Sequence, residues 1–315
     1  DKKKLQKLSD GENQQVATWS PDSRRIAFVK DNNLFVTDGI QETQITHDGK
    51  FNEIINGIPD WVYEEEFAFN RAFAWNADGS SISWIRFDES KVKTYSLQLF
   101  KGLNPELTEN TVYPGEYSYK YPKAGEDNSK VTAWSYDMRS GKTIQLNIPL
   151  DADGYIPRII TTSDANRLVF FTMNRHQDEL NILAVNPFDG SVKTLIKETA
   201  DKYIEGEVLE RIHIGKKDIL LPSDRDGYMH LYLYDADGRL VRQVEKGNYD
   251  VTDVYGMDEK TGDVYFQAAM LNPHDRQIYV AHANGKVERL TDTEGSNSAI
   301  FSGNYQYFVN TWSCY

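Results

Sequence analysis

The sequence contains one cysteine, Cys314, so no disulfide can form within the chain. A lack of disulfides leaves the cellular compartment open, because secreted bacterial proteins often have none. No run of about 18 apolar residues occurs, so we predict no membrane-spanning helix. The first twelve residues are charged but have no apolar stretch, and we therefore do not expect them to be a signal peptide.

Motifs for common enzyme chemistry are also absent. There is no Gly-x-Ser-x-Gly elbow, no His-Glu-x-x-His, no Cys-x-x-Cys and no glycine-rich phosphate loop. The six histidines are scattered, and none has metal-binding spacing to another, so we expect them to be structural or exposed. The sequence therefore predicts no cofactor and no metal site.

The balance of charge narrows the choice of partner. The chain has 48 Asp and Glu residues and 35 Lys and Arg residues, which gives a formal net charge of -13. A surface this acidic repels phosphate backbones, so nucleic acid is not an expected partner. It attracts cations, and the positively charged end of a peptide is one.

What the chain does contain is a repeated β pattern. Aromatic residues make up 12% of its 315 residues, and short β-branched and aromatic runs bounded by Asp, Asn, Gly and Ser recur throughout. The clearest copy is 16–38, "VATWSPDSRRIAFVKDNNLFVTD". The strand that follows each polar turn marks six copies, which begin near Ile26, Ile82, Leu168, Ile219, Val264 and Tyr305.

Most of these spacings are close to the roughly 40–50-residue period of four-stranded propeller blades. The alternative is a β-sandwich with regular hairpins, but the repeated turn-and-strand logic favours the propeller. We therefore predict an all-β chain, a single β-propeller domain over 1–315 built from four-stranded antiparallel blades. The long spacing after Ile82 holds an insertion near 91–121 with two aromatic strands. Either these strands pack on their own blade or they form an arm that meets another subunit.

The stretch 60–67, "DWVYEEEF", places three glutamates among aromatic residues. One interpretation is a solvated acidic turn or the first turn of a short helix, with Asp60 as its N-cap. The aromatic flanks argue against a fully solvated face. A short helix at 60–67 that leaves its blade would direct adjacent carboxylates toward a cavity, and a pair of carboxylates suits a compact cation such as an ammonium group.

These residues resemble the dipeptidyl peptidase IV family of serine peptidases. The similarity covers nearly the whole chain and is densest from Val16 to Val131, and its segment "IINGIPDWVYEEE" is highly specific. The resemblance implies that the chain is about six blades' worth of an eight-bladed propeller, with an α/β-hydrolase domain beyond its C-terminus. It also implies that Glu65 and Glu66 bind the free N-terminal ammonium of the substrate peptide.

By that resemblance the full-length protein releases X-Pro or X-Ala dipeptides from peptide N-termini. The catalytic triad belongs to the absent domain, so this segment alone should be inactive and holds no catalytic residue. The inserted arm at 91–121 is expected to form a homodimer, and Glu64 is expected to face solvent or a neighbouring blade. The missing cysteine pairs of animal members suggest a bacterial protein in the periplasm, secreted or at the cell surface. A tripeptidyl or other aminopeptidase relative, or a non-catalytic binding propeller, is the alternative.

Overall fold

The computed structural model describes residues 5, 7–100 and 112–314, and its regular structure is almost entirely β-strand. Two compact units are present, one within 1–175 and 184–193 and the other within 176–183 and 194–315. A single domain over 1–315 therefore stays a prediction. No helix of the described residues is both long and apolar enough to cross a membrane.

The elements follow one another along the chain with short connections. From the start to residue 146 they are β1 (Gln15–Trp19), β2 (Ile26–Lys30), β3 (Asn33–Thr37), β4 (Glu42–Gln44), β5 (Ile54–Asn56), α1 (Trp61–Glu66), β6 (Phe73–Trp75), β7 (Ser81–Asp88), β8 (Thr94–Leu99), β9 (Gly115–Lys120), β10 (Lys130–Asp137) and β11 (Thr143–Leu146). Then come β12 (Tyr155–Thr161), β13 (Leu168–Met173), β14 (Glu179–Val185), β15 (Val192–Thr199), α2 (Gly206–Arg211), β16 (His213–Ile214), β17 (Asp218–Ser223) and β18 (His230–Asp235). The last elements are β19 (Leu240–Gln243), β20 (Val251–Asp258), β21 (Asp263–Ala268), β22 (Gln277–Ala281), β23 (Val287–Arg289), β24 (Ser296–Phe301) and β25 (Phe308–Ser313).

The strands form sheets in which most paired strands are consecutive in the sequence. In the first unit the orders are β1-β2-β3-β4 and β11-β10-β7-β5, with β6 also paired to β7. The second unit has the orders β16-β17-β18-β19 and β20-β21-β22-β23 and the two-stranded sheet β24-β25. A further four-stranded sheet has the order β12-β13-β14-β15. This succession of four-stranded antiparallel meanders confirms the predicted blade pattern.

Each unit buries apolar side chains between successive sheets. In the first unit one core cluster joins the first two sheets; its buried members are Ala27, Val29, Leu34, Val36, Ile45, Phe73, Trp75, Ile82 and Trp84. In the second unit a comparable cluster joins the sheets β16–β19 and β20–β23 and includes Leu220, Leu231, Val264 and Phe266. A blade cannot bury both of its faces alone, so packing against the next blade provides the core.

The repeat markers correspond closely to the strands. Ile26 and Leu168 begin β2 and β13, while Ile82, Ile219 and Val264 are second in β7, β17 and β21, and Tyr305 lies just before β25. The pattern located these strands because each follows a polar turn and carries a short apolar run.

The insertion near 91–121 forms an arm. Its strands β8 and β9 pair with each other in a separate two-stranded sheet, with Tyr95 opposite Tyr119 and Leu97 opposite Tyr117. The hairpin is inserted between β7 and β10, which are neighbours in their own sheet. The middle of the insertion, 101–111, lies outside the described residues. Contact of the arm with another subunit stays a prediction.

One edge of β7 is shared by two short strands. Ile54–Asn56 pairs with one part of β7 and Phe73–Trp75 with the other. At the junction the Gly57 amide donates to the Ile85 carbonyl (3.2 Å), and the Ala72 amide donates to the Gly57 carbonyl (2.9 Å). Residues 58–71 therefore leave the sheet and return to the same point, and this excursion carries α1.

Gly57 is required at this junction. Its φ is +83°, where L side chains are strained. A Cβ on Gly57 would lie 3.0 Å from Val29 Cγ2 and 3.4 Å from both Leu34 Cδ1 and Phe73 Cδ1. The position thus combines an unfavourable backbone conformation with a filled site in the core.

We expect Gly57→Ala to lower the free energy of unfolding by about 2–3 kcal/mol, from backbone strain together with overpacking. Gly125→Ala is the matched control, because Gly125 has the same φ of +83° but no atom within 4 Å of the added Cβ. Urea unfolding of the two variants measures the difference. Equal losses in both would contradict the packing role of Gly57.

Candidate functional site

Helix α1 begins where the sequence predicted, at a buried capping aspartate. Asp60 Oδ1 accepts a hydrogen bond from the Tyr63 amide (3.1 Å), and its Oδ2 accepts one from Ser129 Oγ (2.5 Å). Burial raises the pKa of the Asp60 carboxyl, although both hydrogen bonds oppose that shift. The cap thus joins the start of α1 to Ser129, the residue that precedes β10. The helix spans Trp61–Glu66, which lies within the predicted range 60–67.

Tyr63 holds the underside of α1. Its side chain is 1% exposed, and its phenol oxygen accepts a hydrogen bond from the Ile156 amide (2.9 Å). Its ring lies edge-on to Phe67, Phe87 and Tyr155, with ring centroids 5.4, 4.8 and 5.9 Å away. Burial raises the pKa of Tyr63 well above its ordinary value, so the hydroxyl stays protonated. These contacts fix the orientation of the helix.

The three glutamates lie on the remaining faces of α1. Tyr63 and Phe67 are four residues apart and share one face of the turn, so the residues between them must point elsewhere. Glu64, Glu65 and Glu66 are all exposed in the described chain. The aromatic flanks therefore pack beneath the helix and do not bury the carboxylates, although the sequence had led us to expect that these flanks exclude a fully solvated face. The exposure of Glu64 agrees with the prediction for that residue.

A pocket of about 400 Å³ lies beside α1. Its wall includes Trp61, Val62, Glu66, Tyr121, Pro122, Lys123, Ala124, Asn128 and Arg175. Of the two predicted site residues, Glu66 lines this pocket and Glu65 does not. Consecutive helical residues point about 100° apart, which accounts for the difference.

The far side of the pocket comes from the end of the arm and from Arg175, the second residue after β13. The rings of Trp61 and Tyr121 are in contact, with centroids 4.1 Å apart. Arg175 Nη2 donates to the Glu126 carbonyl (2.9 Å), and Asn128 Nδ2 donates to the hydroxyl of Tyr155 (2.8 Å). The sequence reasoning did not find these residues, because nothing in their local pattern distinguishes them from other loop residues.

The start of the arm, at Glu89, lies near the capping Asp60 of α1. Glu89 follows β7 directly and is 6% exposed. Burial raises the pKa of the Glu89 carboxyl to about 7, and the neighbouring charge of Asp60 adds to the rise. Lys120 opposes it only in part, because its ammonium group donates to the Val92 carbonyl (2.7 Å). The arm and α1 thus meet at two buried carboxyl groups.

A second pocket, of about 900 Å³, lies within the second unit. Glu198, 8% exposed, forms an ion pair there with Arg225, whose guanidinium lies 4.2 Å from the ring centre of Tyr232. Helix α2 (Gly206–Arg211) forms part of the wall. The sequence analysis did not predict this helix, although the Glu207–Arg211 ion pair at i, i+4 spacing is a helical signal. It predicted no substrate residue in this segment.

Comparisons with known proteins agree on one family. The family model described as "Dipeptidyl peptidase IV (DPP IV) N-terminal region" matches residues 1–314. A curated Aspergillus flavus protein, named probable dipeptidyl peptidase 4, is 30% identical over an alignment 318 residues long, which covers 95% of this chain and 40% of that protein. A Tuber melanosporum protein, named probable dipeptidyl-aminopeptidase B, is 32% identical over an alignment 335 residues long, which covers 94% of this chain and 36% of that protein.

Solved structures are similar as well. The crystal structure of Porphyromonas gingivalis dipeptidyl peptidase 4 matches 97% of this chain and 43% of its own, with a TM-score of 0.91 and 38% identity. A structure from Bacteroides ovatus, titled a putative dipeptidyl aminopeptidase IV, matches with a TM-score of 0.74 and 22% identity, which supports the fold alone. The chain spans about 40% of the length of the Aspergillus flavus relative and of the Porphyromonas gingivalis structure.

The buried carboxyl of Glu89 generates a prediction about pH. Its folded-state pKa of about 7 is above the ordinary value of 4.5, so between these pH values the folded protein holds a proton that the unfolded chain releases. Stability contributed by the protonated form is complete below about pH 4.5 and is lost as the pH rises through 7. Because one pKa unit corresponds to about 1.4 kcal/mol, Glu89→Gln should raise the free energy of unfolding at pH 8 by up to about 3 kcal/mol.

Urea unfolding at pH 5 and pH 8 measures this effect, with the exposed Glu12→Gln as the matched control. The stabilisation by Glu89→Gln should be larger at pH 8 than at pH 5, whereas Glu12→Gln should change neither value. Equal effects of Glu89→Gln at both pH values would show that the carboxyl does not titrate in this range.

Proposed function

Since the chain belongs to the dipeptidyl peptidase IV N-terminal region family, we propose that it gates and anchors substrates for a serine dipeptidyl peptidase. In this proposal Glu65 and Glu66 bind the free N-terminal ammonium of a peptide. The observation that supports this proposal best is how α1 is fixed to the sheet. Buried hydrogen bonds of Tyr63 and Asp60 hold its inner face, while its glutamate carboxylates remain exposed.

The chemistry of the ligand suits these groups. A peptide α-amino group has a pKa of about 7.7–8.0 and is largely protonated near neutral pH. As an ammonium group it offers three N–H donors to carboxylate oxygens. A helix with one buried face does not reorganise when the cation binds, so the cost of ordering the site is met by folding. The net charge of -13 also favours a cationic ligand.

A fixed peptide N-terminus determines the length of the product. If the ammonium is fixed, the distance to a catalytic serine decides how many residues precede the cleaved bond. We propose that two residues do, and that the products are X-Pro and X-Ala dipeptides. The names of the relatives, dipeptidyl peptidase and dipeptidyl-aminopeptidase, support this length. A tripeptidyl or other aminopeptidase, or a propeller that binds without catalysis, is the alternative.

The proposal includes parts outside this chain. The serine, aspartate and histidine of the triad would belong to an α/β-hydrolase domain after residue 315, so 1–315 alone would be inactive. The enzyme would be a bacterial protein of the periplasm, secreted or at the cell surface. No cofactor is needed for this reaction, since an acyl-enzyme forms on the serine itself.

The exposed apolar residues of the arm support a homodimer. Tyr95, Leu97 and Tyr117 on β8 and β9 are each at least 40% exposed, and Phe51 beside them is 61% exposed. Contiguous exposed apolar side chains of this kind mark contact surfaces. We propose that the arm of one subunit packs against a second copy.

The anchor is tested in the full-length enzyme by Glu65→Gln and Glu66→Gln. Each substitution keeps the size of the side chain and removes one charge-assisted hydrogen bond to the ammonium, which is worth about 1.5–3 kcal/mol. We expect kcat/KM on a free X-Pro peptide to fall by at least about tenfold. Glu64→Gln is the matched control and should leave the rate within about twofold. Unchanged rates in both Glu65→Gln and Glu66→Gln would refute binding of the ammonium by these residues. Release of tripeptides would refute the proposed dipeptide length.

The dimer is tested by Leu97→Asp, which places a charge among the apolar side chains of the arm. Sedimentation of the full-length protein should shift from dimer to monomer, because an unpaired buried carboxylate disfavours the interface. Glu116→Gln, at an exposed polar position of β9, should leave the dimer intact. A variant Leu97→Asp that sediments as the parent does would exclude the arm as the main contact.

A further inference from the structure

The pocket beside α1 combines opposite charges on an aromatic base. Glu66 contributes a carboxylate, while Lys123 and Arg175 contribute two cations. Trp61 and Tyr121, with ring centroids 4.1 Å apart, form the apolar part of the wall. A volume of about 400 Å³ is at the lower end of the range for small-ligand sites, which suits one side chain better than a folded partner.

Arg175 has hydrogen-bonding capacity to spare. A guanidinium carries five N–H donors, and the hydrogen bond found for Arg175 goes to the neutral carbonyl of Glu126. Among the residues that the structure describes, no carboxylate lies within ion-pair distance of Arg175. Lys123 is exposed, with its ammonium 5.4 Å from the ring centre of Tyr95. Both cations can therefore interact with an incoming acceptor.

The charge balance changes when a peptide binds at Glu66. The peptide ammonium, bound between Glu65 and Glu66, offsets one of their two negative charges, so one negative charge remains beside the two positive charges of Lys123 and Arg175. The side chain of the N-terminal residue branches from the carbon next to that ammonium, so it starts beside the pocket. A carboxylate there would meet two cations, whereas a second ammonium would be repelled.

We propose that this pocket receives the side chain of the peptide's N-terminal residue, and that Arg175 makes it select acidic over basic side chains. The inference rests on the proposed function, because it requires the peptide ammonium at Glu66. Arg175 acts here as a specificity residue that contacts the substrate side chain. The peptide class is one with Asp or Glu at its free N-terminus, and Lys or Arg at that position is disfavoured.

The test uses the full-length enzyme and three chromogenic anilides, Glu-Pro, Gln-Pro and Lys-Pro. Glu and Gln have the same shape, so their ratio of kcat/KM isolates the charge. We expect the parent enzyme to prefer Glu-Pro over Lys-Pro by about tenfold or more. Arg175→Met should lower the Glu-Pro to Gln-Pro ratio by about tenfold, the usual scale of one charge-assisted contact.

Two further variants separate the explanations. Arg175→Gln can still donate to the Glu126 carbonyl but has no charge, so it should lower the ratio as Arg175→Met does even if the latter folds poorly. Arg139→Met removes an exposed arginine elsewhere in the first unit and should leave the ratio unchanged. If both Arg175 variants retain the parent Glu-Pro to Gln-Pro ratio of kcat/KM, the pocket does not select the side chain by its charge and the inference is wrong. This holds whether or not the total rates fall.

The outcome is distinguishable from failure of the anchor itself. Glu66→Gln should lower the rates on all three anilides together, because each has the same ammonium. Equal rates in Glu66→Gln and the parent would contradict the proposed function, whatever the Arg175 variants do. A loss confined to the Glu-Pro to Gln-Pro ratio in the Arg175 variants supports the side-chain pocket specifically.

Discussion

The burial of Tyr63 under α1 is the interaction on which the candidate site depends. A single turn of helix has little stability of its own, so its orientation must come from tertiary contacts. Tyr63 supplies them through three aromatic neighbours and a hydrogen bond from the Ile156 amide. With Tyr63 and Phe67 fixed on the buried face, the residues between them have only outward directions left. Three adjacent carboxylates are tolerated because all of them remain in water.

The position of α1 is set by the sheet that contains β7. One edge of β7 is completed by two separate strands, and the excursion from Gly57 to Ala72 leaves at their junction. The arm leaves from the end of the same strand, immediately after Glu89. Ser129, just before β10, binds the capping Asp60. The helix, the arm and the pocket between them are thus connected to neighbouring strands of one sheet.

Local patterns in the sequence predicted what depends on local physics. The polar turns and apolar runs located β2, β7, β13, β17 and β21, and Asp60 before an acidic stretch located the start of α1. Long-range contacts were not predictable in this way. Arg175 reaches the pocket of Glu66 only through the fold, and only the fold brings Glu89 near the charges of Asp60 and Lys120. The aromatic flanks of the glutamates do not predict whether the carboxylates are buried, because proximity in sequence does not tell which face of a helix is buried.

The most direct test of the central claim is a crystal structure of the full-length enzyme with an uncleaved X-Pro peptide bound. The account predicts the peptide's ammonium nitrogen within about 2.7–3.2 Å of carboxylate oxygens of both Glu65 and Glu66, with α1 in the orientation set by Tyr63. A bound peptide whose N-terminus lies away from α1, with neither glutamate in contact, would contradict it.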